Sequence, residues 1–362
     1  MTTLSTHPTP TGGGRPAPKS RQRATMRDVA ALAGVAIKTV SRVVNDEPGV
    51  SPAMVERVRR AADELNFQAD MLAGNLRRTG RRTKSIGLVL ASVDNPFAAA
   101  IHRAVEDVAE TQGVAVFSAS TDEKAERERS LVEAFTSRRV DGLIITSTGT
   151  DQQYLLPEIA AGTPVVAVDR PPVGIDVDTV VADNVDGARQ AVEHLIAAGH
   201  ERIAFMGDLA IIATAAQRFE GFEQALTRAG IPIDPSLVTE DLHDEQSAFQ
   251  AAMGLLLRPI RPSAIFASQN LVTIGAFRAL RTLGLHHTIA LVGFDDFSLA
   301  DLLDPPVTVV AQDPFAMGRA AAERLFGRMT DEAFPPQRIV VPTRLITRGS
   351  GEIRPSTQRG TA

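Results

Sequence analysis

The 362-residue chain contains no cysteine, which excludes disulfides and thiolate metal sites and frees its folding from any dependence on redox compartment. It has no run of about 18 uninterrupted apolar residues and no apolar core near its start, so neither a membrane span nor a secretory leader is expected. Gly-x-Ser-x-Gly, a Gly-Lys-Ser/Thr phosphate loop and His-Glu-x-x-His are all missing. Gly12, Gly13 and Gly14 sit in a segment with neither strand nor helix around them. His286 and His287 are the only histidine pair; as sequence neighbours they should point apart, a surface pair rather than a metal site. Asp/Glu pairs near strand ends could suggest a glycosidase, but nothing fixes their spacing. No catalytic residue, metal ligand or cofactor is expected, and the chain reads as a non-enzyme.

What is present is a soluble, globular composition, 44% apolar and 22% charged, long enough for two or three domains and consistent with a cytoplasmic protein. The net charge of -5 conceals an asymmetry: residues 1–85 hold 15 Lys/Arg against 7 Asp/Glu, while the remainder is strongly acidic. A basic front end is either a solvated tail or the electrostatic footprint of a polyanion.

Five stretches follow from composition and periodicity. Residues 1–24 are rich in Thr, Pro, Gly and Ser with Lys/Arg toward the end, a basic arm expected to be disordered. Residues 25–67 read as three helices, residues 68–82 as a basic connector, residues 83–350 as a large α/β body and residues 351–362 as a tail. The body alternates β-rich runs such as "IGLVLASV" (86–93), "VAVFSAS" (114–120), "DGLIITS" (141–147), "PVVAVD" (164–169), "RIAFMGD" (202–208), "SAIFAS" (263–268) and "IALVGFDD" (289–296) with amphipathic helical patterns. That alternation predicts buried parallel strands with crossover helices on both faces. In such sheets ligands sit beyond the carboxyl ends of the strands, which directs attention to Asp94-Asn95, Asp169-Arg170, Asp208, Gln269-Asn270 and Asp295-Asp296.

In the front stretch, Thr25 with Asp28 forms a capping-box start for a helix over 26–33, ended by Gly34. A second helix is predicted over 37–45. Its Val40, Val43 and Val44 fall on the inward face and leave Lys38, Ser41, Arg42 and Asn45 outward, all hydrogen-bond donors. Ser51 caps a third helix with Pro52 in its first turn and an apolar stripe of Val55, Val58, Ala62 and Leu65. Two helices joined by a short glycine turn, the second presenting donors, have the geometry of a major-groove reader, or else of an ordinary helical hairpin packed on the body. The basic balance, the donor-rich face and the basic connector favour DNA.

The stretch "TMRDVAALAGVAIKTVSRVVNDEPGVSPAMVERVRRAADELNF" (25–67) resembles the headpiece of the lactose-repressor (LacI/GalR) family of bacterial transcription regulators. The resemblance continues through "NPF" (95–97), "DGLII", "VADNVDGARQAVEHLIAAGH" (181–200), "RFEGFEQAL" (218–226), "LVGFDD" (291–296) and "VTVVAQDPFAMGRAAAERL" (307–325). It implies an all-α helix-turn-helix headpiece joined to an α/β body of the periplasmic-binding-protein-like type I fold with two doubly wound subdomains. The first would span about 83–182 plus 313–342, the second about 183–312 plus 343–350.

Carried over by position, Ile37, Lys38 and Arg42 would read base edges: Lys38 and Arg42 can donate to guanine O6 and N7, and Ile37 can touch a thymine methyl. Thr25, Thr39, Ser41 and Asn45 would contact phosphates, and Ala36 stands where relatives often carry a hydroxyl. The connector "ADMLAGNLRRTG" (69–80) would form a hinge helix, with Ala73 and Leu76 in the minor groove and Leu76 as a kinking wedge; by composition alone it is a flexible linker. The effector would bind between the subdomains against Asp94, Phe97, Asp169, Arg218, Gln269 and Asp295. Local alternatives stand beside these: Asn95-Pro96 as a helix start, Asp169 and Asp295 as strand-end caps, Arg218 as a surface ion pair. The expected protein is a homodimeric repressor of a palindromic operator in double-stranded DNA, controlled by a small-molecule effector such as a sugar, with no membrane partner. The rival is a sugar-binding transport component of the same fold.

Overall fold

The computed structural model describes residues 24–45, 47–67, 82–149, 151–330 and 334–356. The chain divides into two compact units, residues 1–81 and 82–362.

In the first unit, α1 (Met26–Ala33), α2 (Ile37–Val44) and α3 (Pro52–Glu64) enclose a core of Val29, Ala30, Ala33, Val40, Val43, Val58 and Ala61. The capping box closes as the sequence requires: the Asp28 carboxylate accepts from the Thr25 amide at 2.7 Å while the Asp28 amide donates to Thr25 Oγ1. Gly34 ends α1 in the left-handed conformation, φ 61°, which a side chain would disfavour. Two details differ from the sequence expectation. Asn45 is the C-terminal cap of α2 and not its last helical residue. Ser51 stands at the N-cap of α3, but its side chain makes no cap bond; its carbonyl accepts from Met54 and Val55, and Pro52, lacking an N–H, leaves one donor fewer to satisfy.

The second unit is built from two six-stranded sheets. The first lobe takes β1 (Ser85–Leu90), α4 (Pro96–Thr111), β2 (Ala115–Ser120), α5 (Ala125–Ser137), β3 (Leu143–Ile145), α6 (Leu156–Ala160), β4 (Val165–Val168) and β5 (Asp178–Ala182). The second takes α7 (Asn184–Ala197), β6 (Ile203–Met206), α8 (Ala213–Arg228), β7 (Val238–Thr239), α9 (Glu245–Leu256), β8 (Ala264–Ala267), α10 (Asn270–Thr282), β9 (Ala290–Phe294) and β10 (Thr308–Ala311). The chain then returns to the first lobe with α11 (Pro314–Met329) and β11 (Arg338–Val341), and ends in the second with β12 (Arg344–Ile346). It therefore crosses between the lobes three times.

The strand orders, β11-β5-β4-β3-β1-β2 and β12-β10-β9-β8-β6-β7, repeat one topology. The exception is the last strand, parallel to its neighbour in the first sheet and antiparallel in the second. β1, β4, β5, β6, β8 and β9 are buried along their whole length, as strands covered by helices on both faces must be. β2 departs from the expected burial: it is a sheet edge, and Phe117 is 43% exposed. α4 and α11 seal one face of the first sheet through Ile101, Val105, Met317 and Leu325. Val132 and Phe135 of α5 pack on the other face. In the second lobe α9 and α10 cover one face, α7 and α8 the other.

Residues 351–356 continue the packing of the second lobe, where the Ile353 carbonyl accepts from Nε2 of the fully buried His200 at 2.8 Å. The rings of His286 and His287 do not point apart: their centroids lie 4.5 Å from each other, and His287 faces Asp304 at 3.6 Å.

α7 and α8 approach so closely that a Cβ on Gly221 would lie 2.3 Å from the Val185 carbonyl oxygen. Gly221→Ala should therefore cost about 1–3 kcal/mol as the two helices are forced apart. Urea unfolding of the variant measures this, and an unchanged midpoint would show that the helices separate freely.

Candidate functional site

On α2 the outward face is built by the inward burial of Val40 and Val43. Ile37 is 47% exposed although apolar, Lys38 is exposed, and Thr39, Ser41, Arg42 and Asn45 are half-buried. No side chain caps the start of α2, where Ala36 takes an extended backbone. Two of the expected phosphate contacts spend donors inside the protein. Thr25 Oγ1 donates to Asp28 at 2.7 Å, and Asn45 Nδ2 donates to the Ser41 carbonyl at 2.7 Å. Lys38 and Ile37 thus form the most accessible part of this face. Ala73 and Leu76 lie outside the described residues, as do Arg77, Arg78 and Arg81.

Within the second unit, the carboxyl ends of the strands of both lobes converge on one cavity of about 350 Å³. Asp94, Phe97, Asp169, Arg218, Gln269 and Asp295 all line it. So do Arg170 and Asp208, to which the strand-end rule had pointed, and Glu123, Thr214 and His243, which were not expected. Asp122 and Glu123 follow β2 directly, so the strand-end rule that pointed to Asp94 and Asp169 applied to them as well. His243 follows the two-residue β7, which no apolar run announces.

The local alternatives resolve unevenly. Asn95 does cap α4, its Oδ1 accepting from the Phe97 amide at 3.0 Å. It also exchanges amide hydrogen bonds with Asn270 of the second lobe at 3.0 and 3.4 Å, a direct link between lobes. Gln269 caps α10 by accepting from the Leu271 amide at 2.9 Å. Asp169 and Asp295 both have left-handed backbones, φ 71° and 66°, at equivalent strand ends of the two lobes. Neither caps a helix. Arg218 is no surface pair: only 5% exposed, it donates from Nε to Asn184 at 2.9 Å and from Nη1 to the Ser268 carbonyl at 2.7 Å and to Asp295 at 3.4 Å. Its guanidinium also lies 3.9 Å over the Phe294 ring. Asp295 takes a second bond from Gln312 at 2.5 Å.

Across the cavity, Arg170 grips Glu123 through both terminal nitrogens, at 2.6 and 2.9 Å. Burial opposes the Arg170 charge, but the bonded Glu123 carboxylate outweighs it and holds the proton more firmly than usual. Burial pushes the Asp169 carboxyl above the usual carboxylate range, against the pull of Arg170 and Arg218, and its Oδ1 has no hydrogen-bond partner. His243 Nδ1 and Asp208 Oδ1 are 2.8 Å apart, and this bond raises the imidazole above its ordinary 6.5. Among the described residues no group of three or more His, Asp or Glu side chains is placed to hold a metal ion, and no helix is long and apolar enough to cross a membrane.

Two family descriptions match this chain: "Bacterial regulatory proteins, lacI family" over residues 25–70, and "Periplasmic binding proteins and sugar binding domain of LacI family" over residues 83–349. The ribose operon repressor of Escherichia coli (strain K12) is 33% identical over 331 residues, 90% of this chain and 99% of its own. The HTH-type transcriptional regulator CelR of Thermobifida fusca is 36% identical over 343 residues, 91% and 99%. Among solved structures, a lac repressor dimer bound to operator and the anti-inducer ONPF superposes with a TM-score of 0.79 at 29% identity, covering 91% of this chain and 99% of the repressor. A CelR–cellobiose complex gives 0.67 at 34% identity, covering 91% and 100%.

The His243–Asp208 pair has a pH signature. Its folded-state pKa is raised, so the pairing is complete below the ordinary 6.5 and is lost as pH rises through the higher folded value. The His243 ring signal followed by NMR should titrate with a midpoint above 6.5, and Asp208→Asn should lower that midpoint. A midpoint unmoved by the substitution would remove the pair as its cause.

Proposed function

The chain belongs to the LacI family of bacterial regulatory proteins, and from that membership we propose that it is a dimeric, sequence-specific repressor, acting in the cytoplasm, whose operator affinity is set by a sugar bound between the lobes of its second unit. One observation carries this reading: a single chain joins the DNA-binding match over residues 25–70 to the sugar-binding match over residues 83–349. A transport component of the same fold would account only for the second.

In this reading α2 enters the major groove. Arg42 and Lys38 donate to guanine acceptors, Ile37 meets a thymine methyl, and Thr39 and Ser41 reach phosphates that fix register without reading sequence. Thr25 and Asn45 would contact phosphate through what their internal bonds leave free. One small headpiece gives too little interface for high specificity, so two copies on a palindrome share the task. The connector over residues 68–82 would fold as a hinge helix on the duplex and insert Leu76, with Ala73 beside it, into the minor groove.

In the cavity Arg218 and Asp295 present a donor and an acceptor side by side, the pairing that neighbouring sugar hydroxyls satisfy. Phe97 and Gln269 add an apolar wall and an amide from opposite lobes. A sugar that binds one lobe arrangement better than the other shifts the population between them, and with it the spacing of the two connectors in the dimer. A coupling of about 1–3 kcal/mol would alter operator affinity by about 5- to 150-fold.

Selection of binding sites from random duplexes, with and without a panel of neutral sugars, tests the whole reading. A two-fold-symmetric site whose affinity moves with one sugar is the expected result; no preferred site under either condition would overturn it. Arg42→Ala should cost about 1–3 kcal/mol on the selected site and relax the base preference there. Equal weakening on random DNA would assign Arg42 to phosphate instead.

A further inference from the structure

The second unit's cavity contains two arginines, and each is paired with a carboxylate of the protein. Six carboxylates, Asp94, Asp122, Glu123, Asp169, Asp208 and Asp295, line the cavity against Arg170 and Arg218, a formal excess of four negative charges with His243 neutral. Arg218 gives Nε and Nη1 to three protein partners and its face to Phe294. His243 is held by Asp208. Only Arg170 has the geometry to grip an incoming anion with two parallel N–H groups, and Glu123 fills that fork.

The pair is built deliberately into the backbone. Asp122 and Glu123, in succession, take left-handed conformations, φ 51° and 58°, which residues with side chains disfavour. Together they turn the chain leaving β2 so that Glu123 meets Arg170 with both side chains 90% buried. Beside them the buried Asp169 Oδ1 lacks a donor. A ligand hydroxyl or ammonium can supply one, whereas an ionised phosphate or carboxylate offers only acceptors to an oxygen that needs a donor.

We propose that Glu123 is a specificity-determining anion gate: by saturating Arg170 it restricts the cavity to uncharged or amine-bearing polyols and rejects their phosphorylated and carboxylated counterparts. This inference rests on the reading of the cavity as the effector site. It assigns the selectivity to one side chain, because both terminal nitrogens of Arg170 bond to Glu123 and removing that carboxylate frees them, with Asp169 left 3.5 Å from Nε.

The test is thermal denaturation of the full-length protein at matched ionic strength, with glucose, glucosamine, glucose 6-phosphate, gluconate, ribose, ribose 5-phosphate and inorganic phosphate as probes. The wild type should be indifferent to phosphate, and each anionic sugar should stabilise it less than its neutral parent. Glu123→Gln should gain a phosphate-dependent rise in Tm of about 3 °C or more at saturation, and adding Arg170→Gln should abolish that gain. Stabilisation of the wild type by a phosphorylated or carboxylated sugar beyond its parent overturns the proposal, and this comparison stands even if the variant fails to fold. A folded Glu123→Gln protein, judged by circular dichroism, that ignores phosphate also overturns it. A wild type that ignores every sugar, beside a Glu123→Gln protein that takes up phosphate, supports the gate and takes down the sugar-effector reading alone.

Discussion

A charge withdrawn from water must be compensated where it sits, and this constraint organises the second unit of the protein. Arg170 and Arg218, both more than nine-tenths buried, stand at the mouth of the strands where the two sheets face each other. Each is matched by a carboxylate that follows a strand of its own lobe, Glu123 after β2 and Asp295 after β9. Left-handed acidic residues follow the strands here, Asp122 and Glu123 after β2, Asp169 after β4, Asp241 after β7 and Asp295 after β9, and their strain is the conformational cost of bringing acceptors to these positions. What remains uncommitted after the pairing defines what the cavity offers a ligand: acceptors in excess, one unpartnered carboxylate oxygen on Asp169, and few free donors.

The first unit obeys a different constraint. Its core consists of alanines and valines drawn from three short helices, which bury little apolar area, so local devices contribute a large share of its order. The reciprocal Thr25–Asp28 cap fixes the start of α1, the left-handed Gly34 fixes the turn, and Pro52 fixes the start of α3. With these in place, burial of Val40 and Val43 determines which side of α2 is left outside, and Ile37 is left there at 47% exposure with no intramolecular reason to be apolar.

Much of this was legible because it rests on periodicity. The seven apolar runs correspond to β1–β4, β6, β8 and β9, and the alternation with helical patterns gave the doubly wound class. β5, β7, β10, β11 and β12 were not read as strands. β7 has only two residues, β12 three, and β11 alternates in burial as an edge strand does. β5 begins with Asp178, a buried carboxylate that Arg324 and Arg328 compensate from α11, nearly 150 residues away, which no local pattern reveals. Four of the six expected effector contacts, Asp94, Asp169, Gln269 and Asp295, follow strands as the strand-end rule requires, and parallel sheets aim such ends the same way; Phe97 and Arg218, expected from the family resemblance alone, line the same cavity from α4 and α8. The rule could not say which charges would be neutralised, since Glu123–Arg170 and Asp208–His243 are long-range pairs. The Thr25–Asp28 cap was legible from residue type and spacing, whereas the bond from Asn45 Nδ2 to the Ser41 carbonyl depends on side-chain rotamer and was not.

The crossings of the chain explain how a small ligand can matter to the whole unit. Three passages join the lobes, strand to helix near residues 183 and 312 and strand to strand near 342, and each leaves one lobe to enter the other. Such short passages permit rotation of one lobe against the other while preserving the packing of each. Across the mouth the Asn95–Asn270 exchange is a direct polar link between lobes, two neutral hydrogen bonds worth about 0.5–1.5 kcal/mol apiece. A ligand that contacts Asp94 or Asp169 on one side and Asp295 or Arg218 on the other adds hydrogen bonds of the same order to a closed arrangement. Glu123 and Asp295 each pair with the buried arginine of their own lobe, so neither arginine depends on the opposite lobe for its counter-charge, and a change in the angle between lobes would leave both pairs intact.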